Sequence, residues 1–544
     1  GTDSIGSVFA STGGNTRGAT LPEPVDFKTD RVNVGVNYAG ENAQFRVGYE
    51  FSYFNNSQET LRFRNAFINP AWAAGAGFPT GVGEFALAPD NMAHNLTFSG
   101  GYNLPARTRV TLNASFSRYE QDENLLPYSA NPLLTVSTPV PRGSAEAEVN
   151  NYLLNLGVSS RPLQKLDLRG SYRYFNRDNN TPQDVFVRIA GDAENQPAGF
   201  ADDNARINLP YSLEQHNVKL DAGYRIFSRT KASIGYEFDR LDRDFQEVDY
   251  TTEHTLSAKV RSSPIDNVSG WVRYAHVFRD NSGYQGNAPF LEGHTPEYLA
   301  TLAPDERFEN DPGLRKYTLA ELSQDEVRAV ISYTPVPNWG ITVDGNYANG
   351  DFTDSPVGLQ NREYYSGTID VSFSPGETWN THAFLTYENT VYDQLGCSFN
   401  PGTRDCIVAP PAPQRQWTAE TTDDSLTAGL GGEWNITEKW DFGLDYIFTK
   451  SETRIDVTGG ADISPLFDLP RLDSLRHRVG LRLDYQLRKR LKLRMSYLFE
   501  YLDSSDFALD DVEPDSVSQH IVFGNRSPDY DAHVFGLALA YQFD

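Results

Sequence analysis

The stretch RHRVGLRLDYQLRKRLKLRMSYLFEYLDSS, Arg476 to Ser505, alternates apolar and polar residues almost without a break. Val479, Leu481, Leu483, Tyr485 and Leu487 share one parity, and Leu491, Leu493, Met495, Tyr497, Phe499 and Tyr501 continue it beyond a short turn. Arg478, Arg482, Asp484, Lys492 and Arg494 hold the other parity. A period of two predicts strands with one greasy and one polar face. The same hairpin pattern occurs nine times along the chain, as in Val32, Val34, Val36 and Tyr38 answered by Phe45, Val47, Tyr49, Phe51 and Tyr53. Short polar or proline-containing connections such as SPIDN, TPVPN, SPGE, NITE and LRKR join the members, the chemistry of tight turns. A last strand carries Phe535, Leu537, Leu539, Tyr541 and Phe543, and a further strand is expected at SIGSVFAST near the start.

Strand length separates two architectures. Sandwich strands in soluble proteins run about five or six residues, whereas a tilted strand needs roughly nine to eleven to cross a bilayer. The alternating segments here run about ten to fifteen residues and number about twenty. Aromatic residues sit near both ends of the apolar face: Tyr38, Tyr102, Tyr224, Tyr333, Phe373, Trp434, Tyr485 and Phe543 toward the short turns, and Tyr49, Tyr236, Tyr387, Phe448, Tyr497 and Phe499 toward the other end. Two such girdles, with short turns at one rim and longer acidic, Gly/Pro-rich loops at the other (residues 56–90, 123–147, 179–211, 282–320 and 393–419), are the outer-membrane arrangement. The expected fold is all-β: one large transmembrane antiparallel up-and-down barrel spanning residues 1–544, in the outer membrane of a Gram-negative bacterium.

On this reading Leu481, Leu483, Leu493, Leu537 and Leu539 face lipid. Arg46, Glu50, Arg169, Arg173, Lys219, Arg225, Lys259, Arg478, Arg482, Lys492 and Arg494 line the lumen and are the candidates for contact with whatever fills it. Inward glycines, among them Gly48, Gly157, Gly223, Gly235 and Gly536, would let a second backbone come close. Twenty strands about 4.8 Å apart and tilted near 40° enclose a radius of roughly 20 Å, too wide for side chains to fill. No segment outside the strands has the size of a plug domain.

Composition changes the picture in three places. No run of about eighteen apolar residues exists, which removes transmembrane helices; the mean hydropathy of −0.51 does not count against strands that show lipid only every second residue. A formal charge of −26 argues against nucleic acid. The acids gather between strands, where they suit a solvated outer surface and could also hold calcium weakly. Cys397 and Cys406, the only cysteines, lie close together in CSFNPGTRDC with no histidine nearby, and a disulfide in an exported loop is expected. The chain starts at Gly1 without a signal peptide, as a mature form or a fragment would.

Catalytic constellations are not found. The nine histidines are scattered singly, HExxH and CxxC are missing, and so are a phosphate loop and a nucleophile elbow. Haem is therefore not expected to be attached to this chain, and no enzyme activity is expected.

The stretch FALAPDNMAHNLTFSGGYNLPARTRVTLNASFSRYEQDENLLPYSANP, residues 85–132, resembles the MtrB/PioB family of porin–cytochrome electron conduits. The likeness continues in YRYFNRDNNTPQDVF, in LRKYTLAELSQDEVRAVISYTP and in the closing strand. The resemblance implies a barrel that sheathes a periplasmic multihaem c-type cytochrome and docks an extracellular one, the c-type haems being carried by the partner. Family members typically have an N-terminal CxxC region and up to about 26 strands. Both are missing here, which implies about six strands ahead of Gly1. Residues alone leave a large diffusion porin or exporter as the alternative.

Overall fold

Strict alternation leaves each strand one face for lipid and one for the interior, and the computed structural model resolves how these faces are joined. It describes residues 3–542 apart from 13–14, 65–81, 106, 131–135, 137, 188–204, 309, 398–412, 462, 464–467, 515, 517–519 and 523–526. The first ten barrel strands are β1 (Phe27–Ala39), β2 (Ala43–Asn56), β3 (Asn91–Leu104), β4 (Thr108–Gln121), β5 (Ala147–Leu163), β6 (Leu166–Asn179), β7 (Leu213–Phe227), β8 (Thr230–Arg243), β9 (Tyr250–Ile265) and β10 (Val268–Asn281). The remaining nine are β11 (Leu322–Tyr333), β12 (Trp339–Asp351), β13 (Val357–Gly376), β14 (Trp379–Cys397), β15 (Gln416–Thr437), β16 (Trp440–Gly459), β17 (Leu472–Arg488), β18 (Leu491–Ser505) and β19 (Tyr530–Tyr541). With the two-residue segment Leu314–Arg315 they make a barrel of twenty strands.

Each long strand pairs antiparallel with its sequence neighbour from β1 through β19, the up-and-down order predicted above. These ladders satisfy the backbone groups that lipid cannot, each of which would otherwise cost several kcal/mol. The seam differs. Among the described residues no residue-by-residue register joins β1 to β19, and both strands run from the long-loop rim toward the short-turn rim. An odd run of alternating strands brings its first and last members together parallel, so the seam cannot continue the antiparallel pattern. The outward residues there are among the most exposed of the wall: Val36 at 65 %, Phe535 at 79 % and Leu537 at 75 %.

The five leucines expected on the apolar face share the outward parity of their strands. Leu537 and Leu539 are exposed and Leu481, Leu483 and Leu493 half-buried between neighbours on the same face. Among the described residues the buried apolar cluster Ala320, Leu322 and Phe352 sits at the long-loop rim. The segment at SIGSVFAST is a strand, Asp3–Thr12, but it forms a separate sheet with Asn15–Glu23 and His520–Ile521 and is not part of the barrel. Two connections at the long-loop rim, 244–249 and 352–356, are as short as turns, so the alternation of short and long connections is incomplete.

Loop 282–321 carries the helices α1 (Ala288–Glu292) and α2 (Pro296–Thr301), and part of it folds inward. Inward-pointing Arg279 on β10 donates from Nη2 to the Tyr317 carbonyl (2.6 Å) and from Nε to the Ala320 carbonyl (2.9 Å), and Asn281 Nδ2 donates to the Leu319 carbonyl at 3.1 Å. Leu314–Arg315 pairs parallel with the start of β13, at Val357 and Gly358. Gly358 has φ +116°, and a Cβ there would meet the Arg315 carbonyl at 2.8 Å, so glycine is what admits the segment.

Candidate lumen interface

The predicted lumen residues all hold the inward parity, opposite to the exposed apolar residues of their strands. They fall into two groups with different electrostatics. On β16–β18 the charges neutralise one another. Asp484, 2 % exposed, accepts from Arg494 Nε and Nη2 at 2.8 and 3.0 Å and from Lys492 Nζ at 2.8 Å. Arg482 reaches Glu433 at 2.6 Å, and Arg478 lies 4.0 Å from Glu500. Lys219 on β7 is likewise paired, to Glu237 at 2.7 Å.

On β6–β10 cations outnumber carboxylates. Arg169, Lys231, Lys259, Arg261 and Arg273 line one recess of about 280 Å³ with only Asp167 and Asp221 to answer them. Lys231 is held by Asp167 at 2.6 Å, and Arg273 lies 3.5 Å from Glu326. Lys259 stands 3.6 Å over the ring of Trp271, an inward aromatic. Arg46, Arg169, Arg225 and Arg261 form no ion pair among the described residues. Arg173 lies over the ring of Phe175, 5.7 Å from its centroid. Gly223 makes the recess possible: a side chain there would collide with Lys231, which crosses it to reach Asp167.

Lys231, Arg261, Arg273 and Trp271 were not singled out from the sequence, and Asp484 was placed on the polar face but not among the partner-contact candidates. Their signal was the same parity as Lys259 and Arg482, two positions along the same strands or directly across a ladder. The inward glycines have a different occupant from the one expected. At Gly48, Gly157, Gly235 and Gly536 the space is taken by hydroxyls of the wall itself, from Thr97, Thr111, Ser257 and Ser496.

At the outer mouth the inward-folded segment completes a second recess, about 700 Å³, lined by Arg315, Lys316, Tyr317, Arg362 and Tyr392. Cys397 ends β14 and is not a free thiol; Cys406 lies outside the described residues, as do Phe543 and much of the acidic stretch 191–204. Among the described residues no group of three or more His, Cys, Asp or Glu side chains is placed to hold a metal ion.

A barrel of this size with a polar, charged bore has a counterpart in known sequences. The family described as outer membrane beta-barrel porin, MtrB/PioB, matches residues 1–543. The chain belongs to the MtrB/PioB family. Outer membrane protein MtrB of Shewanella baltica (strain OS185) is 28 % identical over 544 residues, covering 99 % of this chain and 70 % of that protein. Among solved structures, the FrpB iron transporter of Neisseria meningitidis aligns over 99 % of this chain and 80 % of its own, at 11 % identity and a TM-score of 0.46. The siderophore receptor PirA of Acinetobacter baumannii aligns over 99 % and 79 %, at 10 % identity and a TM-score of 0.43. As an MtrB/PioB member the chain is an outer-membrane porin of a Gram-negative bacterium.

Proposed function

We propose that this MtrB/PioB barrel is a sheath: it holds a periplasmic multihaem c-type cytochrome in its lumen, insulates the haems from lipid, and presents its long loops to an extracellular multihaem cytochrome or another surface electron carrier. The observation that carries the reading is the cation-rich recess on β6–β10, where five cations meet two carboxylates. A water-filled wall gains nothing from gathering Arg169, Lys259 and Arg261 beside Trp271, because like charges in a concave site repel. An acidic partner removes that cost, and haem propionates are carboxylates of the kind that Arg and Lys clamp with charge-assisted bonds. The neutralised wall at β16–β18 offers no such demand, so the partner leans toward one side of the bore. The haems belong to the partner. This chain supplies depth, insulation and docking.

A disulfide between Cys397 and Cys406 fits the same picture as a staple of an extracellular loop, and mass analysis without reduction would find the two residues linked. The acidic loops remain candidates for weak calcium binding, which titration of the purified complex would read.

A diffusion porin is the second reading, favoured by the inward-folded segment Leu314–Ala320, which narrows the outer mouth as a constriction loop does. Affinity purification of the full chain from its native membrane separates the two. The sheath reading expects a red complex with c-type haem absorbance and little open-channel conductance in planar bilayers. A colourless protein with large steady conductance overturns it.

A further inference from the structure

Five outward-facing histidines share one geometry. Tyr49 is paired with His94, Tyr172 with His216, Tyr236 with His254, Tyr446 with His477 and Tyr497 with His533, each hydroxyl 2.7–2.9 Å from Nδ1. The rings of each pair are 6.0–6.2 Å apart and within 22–30° of parallel. The aromatic residue two places further on (Phe51, Tyr174, Phe238, Phe448 or Phe499) also packs on the same imidazole, its ring tilted and 5.0–5.2 Å away. In every case the tyrosine is the seventh residue of a strand rising from a short turn, and the histidine lies on the next strand of the wall. The five therefore stand at one height, about 15 Å above the short-turn end for strands tilted near 40°.

That height is a boundary. Below it the outward residues are Phe442 and Leu444, or Ala232 and Ile234; the next outward residue above the clamp is Lys450, Arg240 or Asn176 on three strands and a tyrosine, Tyr53 or Tyr501, on the other two. The clamped imidazoles thus mark where the apolar band ends on the long-loop side.

A second contact indicates which ring nitrogen carries the proton. At His216 the second nitrogen, Nε2, lies 2.9 Å from a Glu214 carboxylate oxygen, which can only accept. Nε2 donates there, which leaves Nδ1 to accept from the tyrosine. With the same tautomer at His94, His254 and His477, Nε2–H is a donor that no protein group among the described residues accepts. Beneath His254 the wall is hollow. Rows across β6–β10 read Leu168, Ala222, Ile234, Ala258, Tyr274 and, one step up, Gly170, Leu220, Tyr236, Leu256, His276. In the lower row large and small residues alternate, and the gaps over Ala222 and Ala258, with Gly170 beside them, leave a groove of about 870 Å³ between apolar ridges on the lipid face.

We infer that this ring is a lipid-binding device. His94, His254 and His477 donate from Nε2 to the ester carbonyl oxygens at the head of outer-leaflet acyl chains, and the groove over Ala222 and Ala258 seats one chain below His254. An ester carbonyl is the acceptor that lies at the edge of the hydrocarbon, where these donors point; a donor left unmet there costs free energy. The inference rests on the outer-membrane location alone and is independent of what occupies the lumen.

The test uses the full chain in nanodiscs of diester phosphatidylcholine or its diether analogue, which keeps the phosphate and removes the carbonyl. Lipids retained after release are counted by native mass spectrometry. The expected result is about fivefold higher retention of the diester lipid, lost in the triple variant H94F/H254F/H477F. Should that variant fail to assemble, Y49F/Y236F/Y446F keeps the imidazoles but frees their tautomers, and a reduced preference is expected. Filling the groove with A222L/A258L removes about one retained lipid of either kind. Equal retention of diester and diether by the unmodified chain overturns the carbonyl contact and points to the phosphate; a preference that survives loss of all three histidines overturns it equally. An unchanged lipid count in A222L/A258L overturns the groove.

Discussion

The continuous wall and the seam are made of the same kind of strand and differ in what surrounds them. β15 and β16 are laddered from Trp417–Gly459 to Thr437–Trp440, each with a neighbour on its far side as well. Among the described residues β1 and β19 have one residue-by-residue ladder each, and their outward valines and leucines are more exposed than most of the wall. Alternation alone therefore makes a lipid-facing strand, but paired neighbours on both sides make a stable one. A bilayer penalises an open edge more than water does, because nothing there replaces the missing hydrogen bonds.

The largest expected difference is in backbone protection. In detergent, the seam-side amides of β1 and β19 exchange with deuterium about a thousandfold faster than those of β15 and β16, since opening free energies run from near zero at frayed edges to the global value in the ladder. Equal protection would mean that β1 and β19 hydrogen-bond to each other across the seam. Next comes the lipid face of the continuous wall: Leu481→Arg is expected to lower folding stability in vesicles by about 3 kcal/mol. The measurement is reversible denaturant unfolding, and a change under about 0.5 kcal/mol would place Leu481 away from the bilayer midplane.

The inner face gives a smaller effect. Asp484→Asn leaves Arg494 and Lys492 without their shared carboxylate and is expected to cost about 2 kcal/mol, between the values for exposed and fully buried pairs, because both cations remain partly wetted. A neutral result would show that lumen water or another group compensates.

The smallest effect concerns pH at the rim. Asp90 accepts from the Asn56 backbone N–H at 2.7 Å, from Asn55 Nδ2 at 2.7 Å and from the Tyr53 hydroxyl at 3.0 Å. The backbone bond first, then the two side chains, hold its carboxyl below the ordinary 3.8. A depressed folded value means this contribution is complete above the ordinary value and disappears as pH falls through the folded one. Loop 56–90 should thus loosen only in strong acid, read as proteolytic nicking that appears below about pH 4 in the parent chain and already at neutral pH in Asp90→Asn.

Much of this architecture was legible because a period of two is unambiguous over ten residues and a bilayer demands that length. The nine short turns, the outward leucines and the inward parity of Arg169, Lys259 and Arg494 all follow from it. What pairs with what did not. Whether Lys259 meets a carboxylate or Trp271 depends on register between strands, and the short-turn hairpins fix only half of the registers. The Tyr–His pairs were hidden for the same reason, their members lying 18 to 45 residues apart. The inward fold of Leu314–Ala320 depends on Arg279 caging carbonyls across a loop, and no local pattern announces it. The segment at SIGSVFAST alternates like a barrel strand and still lies outside the barrel, since parity says nothing about membership.

The sheath account turns on which face of the wall meets the haem-bearing partner. A photo-crosslinking residue placed at inward Ser257, with a second protein carrying it at neighbouring lipid-facing Leu256, puts the question to adjacent residues of β9. In native membranes the account predicts a haem-staining adduct from position 257 and none from 256. No haem-bearing adduct from 257, or equal labelling from both, would contradict it.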